Sequence, residues 1–481
     1  MATSFRIGMS GAQQMPANAS TATGTGIAVF DPTSNALTYF VFTSLDGGTY
    51  GGSSPITAAT ADDITNVGFF AGSPGAAGTL AFDVKSDLDD FRSVFIDTSL
   101  FGPSPVLGGA RTGVIGTWET TDAGATSIST YASALSSATP GQNAGLYMSI
   151  ATTSVPAGEI RGQLVGSATD SAEVVTGTAG ADVLIGLGGA DTIQGGAGDF
   201  VMYFVEQFAG GSHGVYVDLA SGFAQDTFGN YDTLIGIQNV AGSYAERAPG
   251  LSDIIVGNAS ANVILADGGL DYVIAGAGND TIDTGPGDFG TVGDIALGQA
   301  GNDFMSGEEG ATFLYGGDGN DTLHGSDGDD WLFGGDFTGS VAGLDQMFGD
   351  AGNDVLAVGS AGGRANMSGG AGNDTIYGGS GTPADDTLAG GSGSDFMYGG
   401  SGGNDTFRFE QADILAGDFD QVLGFAAGDS LSFAPALSGS IYGLTTTING
   451  VQGTYMGHAN GWALWLPYTT WTAVQSQVSY V

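Results

Sequence analysis

The sequence contains no cysteine, only 8 lysines and arginines together, and only 3 histidines in 481 residues. Without cysteine there is no disulfide, no thiolate metal site and no cysteine nucleophile. Against the 8 basic side chains stand 51 acidic ones, a formal net charge of -43. Nucleic acid and anionic membranes both require basic surface, so neither is an expected partner. No apolar run approaches the roughly 20 residues of a membrane-spanning helix, so membrane insertion is not expected either. The opening MATSFRIGMSGAQQMPANAS lacks the basic-then-apolar stretch of a secretory leader, which taken alone points to the cytoplasm.

The chain is nevertheless built to fold. Hydrophobic residues make up 42% of it, whereas a solvated acidic tail would be poor in aromatic and aliphatic side chains. Its length suits about two to four domains with buried cores. Self-repulsion on this scale opposes compaction unless counter-ions are bound, and a divalent cation is the obvious candidate.

Residues 1–168 read as all-β. Segments such as GTGIAVFD, ALTYFVFTSL, GTLAFDVKS, RTGVIGTWET and GLYMSIATTS cluster or alternate β-formers between Gly, Pro, Asn and Asp, the spacing of a sandwich of short antiparallel strands. VGSATDSAEVVTGTAG then loses the alternation and reads as a linker into the first repeats, over 169–200.

From residue 177 the composition changes and a period of nine takes over. GTAGADVLI (177–185) runs into GLGGADTIQ (186–194), and GQAGNDFMS, GEEGATFLY, GGDGNDTLH and GSDGDDWLF follow one another over 298–333. GDAGNDVLA (349–357), GGAGNDTIY (369–377) and GGSGSDFMY (390–398) complete the clear units. Glycine occupies positions 1 and 4, aspartate position 6 and a large apolar residue position 8, which helical periodicity cannot produce. The pattern predicts a six-residue turn followed by a three-residue strand, with position 8 pointing inward and positions 7 and 9 outward. Leu184, Ile193, Leu314, Leu323, Leu332, Leu356, Ile376 and Met397 would then stack into a narrow core. Asp182, Asp191, Asp303, Asp321, Asp330, Asp354, Asp374 and Asp395 would line the turns. Such a row repels itself unless cations intervene. Turn carbonyls held open by glycines such as Gly316, Gly325 and Gly369, with one carboxylate per turn, form the hard-oxygen cage that Ca²⁺ prefers.

These tandem units resemble the RTX (repeats-in-toxin) calcium-binding nonapeptide family. The resemblance implies a parallel β-roll that winds up on binding Ca²⁺, on the order of ten ions at about one per intact turn. Three turns depart from the pattern: Thr312 stands where aspartate belongs, GGAGDFVMY moves its acid to Asp199, and SAGGRANMS offers Ala365. Residues 201–275 form a strand-rich segment that re-enters the repeats, with Asp253, Asp271 and Asp280 at ligand positions. The main roll is expected over 276–403, and Asp386 and Asp405 complete the metal set.

After residue 403 longer strands and aromatics replace the period, and 404–481 resembles the segment that closes the roll in type I secreted RTX proteins. That resemblance implies an uncleaved export signal in the stretch with Trp462, Trp465, Trp471 and Tyr480, alongside the plainer role of a cap over the last coil's open edge. Export of this kind needs no N-terminal leader, so the expected location becomes extracellular, at a bacterial cell surface. At the other end, GLYMSIATTSVPAGEIRGQLVG resembles the CHRD domain family, PAGEIRGQL (156–164) being its most specific part. Glu159 and Arg161 would share a strand face there. The histidines common in CHRD domains are missing from NVGFFAGSPGAAG and SIATTSVP, which favours binding or assembly over catalysis.

No enzyme emerges from the motifs. H-E-x-x-H is absent, and G-x-S-x-G occurs at 210–214 and 399–403 without the strand-to-helix setting of a nucleophile elbow. Among 88 glycines such matches arise by chance, and Ser212 beside His213 is the one pairing to inspect. The expectation is therefore an all-β, secreted, calcium-loaded structural protein without catalytic residues, self-associating into a layer, sheet or fibre. The rival reading is an adhesin or matrix protein whose N-terminal domain grips a ligand, such as a cell-surface polysaccharide, with the roll as its stalk.

Overall fold

The computed structural model describes residues 2–10, 23–43, 64–72, 79–83, 112–118, 126–139, 142–152, 160–177, 182–243, 252–285, 293–308, 310–335, 343–359, 363–379, 385–414 and 417–480. Two compact units divide the chain, Met1–Tyr244 and Ala245–Val481.

The first unit opens with eight strands: β1 (Thr3–Ser10), β2 (Thr23–Asp31), β3 (Ala36–Thr43), β4 (Ile64–Ala71), β5 (Thr79–Asp83), β6 (Thr112–Trp118), β7 (Asn143–Thr152) and β8 (Ile160–Thr169). They pair antiparallel in the order β5-β4-β7-β8-β1-β2-β3-β6. The β2–β3 hairpin is set locally. Asp31 accepts the N–H groups of Thr33 (2.8 Å) and Ser34 (3.1 Å), and Asn35 closes the turn with φ 59°. The all-β, antiparallel expectation holds, but the core lies within one curled sheet rather than between two separate ones. Trp118 on edge strand β6 stacks on Phe82 of the opposite edge strand β5, ring centroids 5.1 Å apart, and Tyr39 of β3 meets Phe69 of β4 at 5.0 Å. Phe5, Phe30, Leu146, Met148 and Leu164 fill the space these rings enclose. Arg161 is buried with its guanidinium 3.3 Å above the Tyr147 ring, while Glu159 lies outside the described residues.

Parallel pairing starts within this unit at Val174–Thr176, which pairs with Thr192–Gln194, and that strand in turn with Tyr231–Ile235. Val183–Leu184 pairs with Phe200–Met202, and the latter with Asn239–Ala241. Between these coils Tyr216–Asp218, Phe223–Gln225 and Tyr231–Ile235 form an antiparallel meander whose last strand rejoins the parallel ladder.

In the second unit two parallel ladders alternate along the chain. The first contains Ile254–Val256, Tyr272–Ala277, Ile295–Ala300, Phe313–Asp318, Trp331–Phe333, Val355–Ala357, Thr375–Tyr377, Phe396–Tyr398 and Phe419–Leu423. The second contains Val263–Leu265, Thr281–Asp283, Phe304–Ser306, Thr322–His324, Leu344–Ala351, Arg364–Ala371, Thr387–Ser392, Thr406–Phe409 and Ser430–Phe433. Phe313 pairs with Trp331 and Phe304 with Thr322, so one coil consumes two nonapeptides and each ladder takes every other unit. Position 8 faces inward throughout: Leu314, Leu323, Leu332, Leu356, Ile376 and Met397 are fully buried. Positive-φ glycines make the coils stack closely. Gly319 sits at φ 145°, and a Cβ there would strike the Gly301 carbonyl.

Residues 404–481 continue these ladders before closing them. Ile441–Ile448, Val451–His458 and Ala463–Pro467 form an antiparallel meander whose last strand pairs parallel with Phe419–Leu423, and Val478–Tyr480 pairs with Ser430–Phe433. Trp462 and Trp465 are buried, and Tyr480 is exposed. Among the described residues no helix is long and apolar enough to cross a membrane.

Candidate metal centre

The strand ladders bring the position-6 aspartates into two columns joined by a repeated bond. Each aspartate's Oδ1 accepts the backbone N–H of the position-6 residue one coil earlier. On one side Asp280 N–H donates to Asp303 (2.8 Å), Asp303 N–H to Asp321 (2.8 Å) and Asp321 N–H to Asp345 (3.0 Å). On the other, Asp253 N–H donates to Asp271 (2.8 Å) and Asp271 N–H to Asp294 (2.8 Å). The run resumes with Asp330 to Asp354 (2.8 Å), Asp354 to Asp374 (2.9 Å) and Asp374 to Asp395 (2.9 Å). In the first unit Asp182 N–H donates to Asp199 (2.8 Å) and Asp191 N–H to Asp232 (2.9 Å).

This bond engages one oxygen, and in many column members the other is left without a hydrogen bond. Oδ2 of Asp191, Asp271, Asp280, Asp303, Asp321, Asp330, Asp354, Asp374 and Asp395 is buried with no hydrogen bond. So many unsatisfied carboxylate oxygens along the repeats call for a positive ligand. What surrounds them is oxygen. A Cβ added at Gly316 would collide with Asp321 Oδ2 and lie 2.6 Å from the Gly334 carbonyl oxygen. At Gly369 it would collide with Asp374 Oδ2 and lie 2.6 Å from the Gly390 carbonyl oxygen, and at Gly325 it would collide with Asp330 Oδ2. Position-1 glycine thus keeps open a cradle in which a carboxylate oxygen of one turn and a carbonyl oxygen of the next coil converge.

The electrostatics agree. Burial pushes the carboxyl groups of Asp321, Asp330 and Asp374 up to about 6, Asp303 and Asp354 to about 7 and Asp395 to about 8, against the pull of the accepted N–H bonds. Neighbouring aspartates raise Asp303, Asp354 and Asp395 further. A cation in the cradle would reverse both effects.

Among the described residues no three His, Cys, Asp or Glu side chains gather closely enough to hold a metal by themselves. Carbonyl groups must complete any site, which suits a hard, oxygen-seeking ion of flexible coordination and excludes a site made of nitrogen or sulfur ligands. The residues present therefore fit Ca²⁺.

The departures sit where the columns break. Thr312 is buried and donates both its N–H (2.7 Å) and its hydroxyl (3.0 Å) to Asp330 Oδ1, contributing no carboxylate. Ala365 N–H donates to Asp386 Oδ1 (2.8 Å). Asp386 differs from its neighbours, because its Oδ2 already accepts the Gly379 N–H (2.7 Å). Asp199 is likewise saturated, by the N–H groups of Asp182 and Gly196. Asp405 accepts from Asp386 (3.0 Å) and donates to Asp429 (3.0 Å).

Five column members were not anticipated: Asp232, Asp294, Asp345, Asp420 and Asp429. Four of them stand in GDIALG, LDQMFG, FDQVLG and GDSLSF, where the glycine half of the repeat is degraded but aspartate still precedes an inward apolar residue by two. Asp420 and Asp429 end the two columns, and both are capped. Asp420 Oδ2 accepts the Trp462 indole N–H (2.7 Å), and Asp429 Oδ2 accepts the Ala426 N–H (2.6 Å).

The Ser212–His213 pairing is not a catalytic dyad. Ser212 Oγ lies 3.4 Å from His213 Nδ1, but that nitrogen is 3.1 Å from the Thr227 carbonyl oxygen, which can only accept. Nδ1 therefore carries the proton and cannot serve as the base. His324, at position 9 of its unit, stacks on Phe348 at 4.6 Å.

Comparison with known proteins agrees with this geometry. The CHRD domain family matches residues 5–164. The RTX calcium-binding nonapeptide repeat family matches 167–199, 250–288, 290–311, 306–341, 342–360, 361–382 and 380–407. Neither is an enzyme family. No curated protein matches the chain. Among solved structures, the extracellular lipase LipA from Serratia marcescens is similar at 19% identity and a TM-score of 0.18, over 45% of this chain and 39% of the lipase. The chain thus spans well under half of the lipase's length. Residues 5–164 are a CHRD domain, and residues 167–199 and 250–407 carry RTX calcium-binding nonapeptide repeats, which in the second unit wind into a parallel β-roll.

Proposed function

We propose that the protein is a secreted structural element that folds on meeting extracellular calcium and then self-assembles at a cell surface as a layer, sheet or fibre. The observation that carries this reading is the pair of aspartate columns with buried, unpartnered Oδ2 atoms. Asp191, Asp271, Asp280, Asp303, Asp321, Asp330, Asp354, Asp374 and Asp395 are the proposed carboxylate ligands, with Asp182, Asp253 and Asp405 at the matching positions of their turns. The carbonyls kept accessible by Gly316, Gly325 and Gly369 complete the shells, on the order of ten ions in all. Bound Ca²⁺ supplies the positive charge that lets the columns ionise inside the fold, so binding energy becomes folding energy. The chain's part is to present oxygen at a fixed coil spacing and to exclude water with the position-8 core. At low cytosolic calcium the same columns repel, which keeps the chain unfolded and fit for export.

Electron microscopy of the purified chain in millimolar calcium and after chelation tests the reading. A lattice or filament that dissolves in EGTA is expected. A calcium-folded chain that stays monodisperse and binds polysaccharide instead would replace self-assembly with the adhesin reading, and circular dichroism unchanged by EGTA would remove the calcium premise itself.

A further inference from the structure

The two outer faces of the second unit's roll differ in chemistry. Along the first ladder, positions 7 and 9 of the eight strands from Ile254–Val256 to Phe396–Tyr398 carry no charged residue, and Thr375 is the only one that is neither aliphatic nor aromatic. Trp331 is 45% exposed, Tyr377 42%, and Tyr272 and Tyr398 38% each. On the second ladder the corresponding positions include Thr322, His324, Gln346, Asn366, Thr387 and Arg408. A chain of net charge -43 has therefore kept one face free of charge.

That face is also preformed. Phe313 packs against Trp331 at 5.5 Å, Tyr315 stacks on Phe333 at 4.8 Å, and Tyr377 meets Phe396 at 6.4 Å, so the rings run in columns held by their neighbours. Little side-chain freedom remains to be lost on docking. Eight strands at about 4.8 Å spacing extend the face over roughly 34 Å. With four aromatics near two-fifths exposed and the remaining outward residues partly exposed, it offers roughly 800 Å². That exceeds the usual largest apolar patch of a monomer and equals one partner's share of a standard-size interface.

We propose that this aromatic face of the roll is the surface through which two copies of the chain associate, face to face. The inference rests on the self-assembly reading and names the contact it uses. Charge selects a second copy as the occupant. It is a broad surface on which two such acidic molecules can approach without opposing carboxylates, and a uniform apolar face is complementary to itself in a two-fold contact. A sugar platform would set amide, carboxylate or guanidinium groups beside its rings, and none stands at these outward positions. On the calcium-folding reading, calcium acts upstream by neutralising the flanking columns.

The test uses the full chain in 10 mM CaCl₂, with sedimentation velocity over a concentration series. Three variants accompany it: Trp331→Lys with Tyr377→Lys, the uncharged Trp331→Thr with Tyr377→Thr, and the opposite-face control Thr322→Lys with Thr387→Lys. A calcium titration by circular dichroism checks that each is folded, and the threonine pair serves if the lysine pair is not. We expect both aromatic-face variants to associate at least about 100-fold more weakly than the parent, and the control to match the parent. Equal association of parent and aromatic-face variants overturns the inference and leaves self-assembly standing. A parent that remains monomeric at every concentration overturns both. A monomeric parent that binds insoluble polysaccharide through Trp331 reassigns the face to carbohydrate and also overturns the proposal.

Discussion

Replacing Asp321 with asparagine separates the two roles assigned to the columns, because its effect should change sign with calcium. Asparagine keeps an oxygen to accept the Asp303 N–H, now 2.8 Å from Asp321 Oδ1, and its own N–H still reaches Asp345 at 3.0 Å. What it loses is the charged Oδ2 in the cradle beside the Gly334 carbonyl. Without metal, burial holds Asp321 at about 6. Displacement from an ordinary value near 4 corresponds to about 3 kcal/mol at most at pH 8. Relaxation of the turn around the buried charge reduces this to about 1–2 kcal/mol. Asp321→Asn should therefore stabilise any metal-free folded population by that amount. In calcium at a hundredfold excess over its dissociation constant, loss of one ion removes about 2.7 kcal/mol. The variant should bind one ion fewer by calorimetry and need several-fold more calcium to reach the folded circular dichroism signal at pH 8. An unchanged midpoint with unchanged stoichiometry would refute the assignment of Asp321 Oδ2 as a ligand.

The same carboxyls predict a pH dependence of opposite sign in the two states. With Asp303 and Asp354 raised to about 7 and Asp395 to about 8, the metal-free fold is favoured below about pH 4 and loses that advantage as pH rises through 6 to 8. Calcium needs the ionised form, so the calcium midpoint should fall steadily between pH 5.5 and 8.5, and a flat profile would contradict the burial argument. Leu314→Ala should cost about 2–5 kcal/mol in calcium-loaded denaturation, since Leu314 is fully buried between coils. Gln299→Gly should add about 0.5–1 kcal/mol, because Gln299 has φ 76° where Gly317, one coil later, has 114°. Thermal denaturation in calcium reads both.

Most of the roll was legible because its period is written in three chemically distinct residues. Leu323 and Ile376 are inward for the reason the pattern gave, two positions after an aspartate and flanked by outward residues. Asp294 and Asp345 escaped because the glycine half of the repeat is degraded in the sequence before each, while the strand after each keeps its register. Asp386 sits in its column as expected, but the Gly379 N–H occupies its second oxygen, a bond that the repeat pattern does not encode. The curl of the N-terminal sheet was hidden for another reason. Phe82 and Trp118 meet from opposite edges, and strand alternation describes faces, not closure.

The column bonds all run one way, from the N–H of a coil to the carboxylate of its successor, and they stop at Asp420 and Asp429, which Trp462 and Ala426 seal. A coil is therefore finished only by the one that follows it. Each coil along a column depends on its successor for the partner of one turn N–H, and the last coils depend on the closing segment to occupy their second carboxylate oxygens. Removing residues from 462 onward would thus uncover the Asp420 carboxylate at the end of one column, a loss that removing leading coils would not cause.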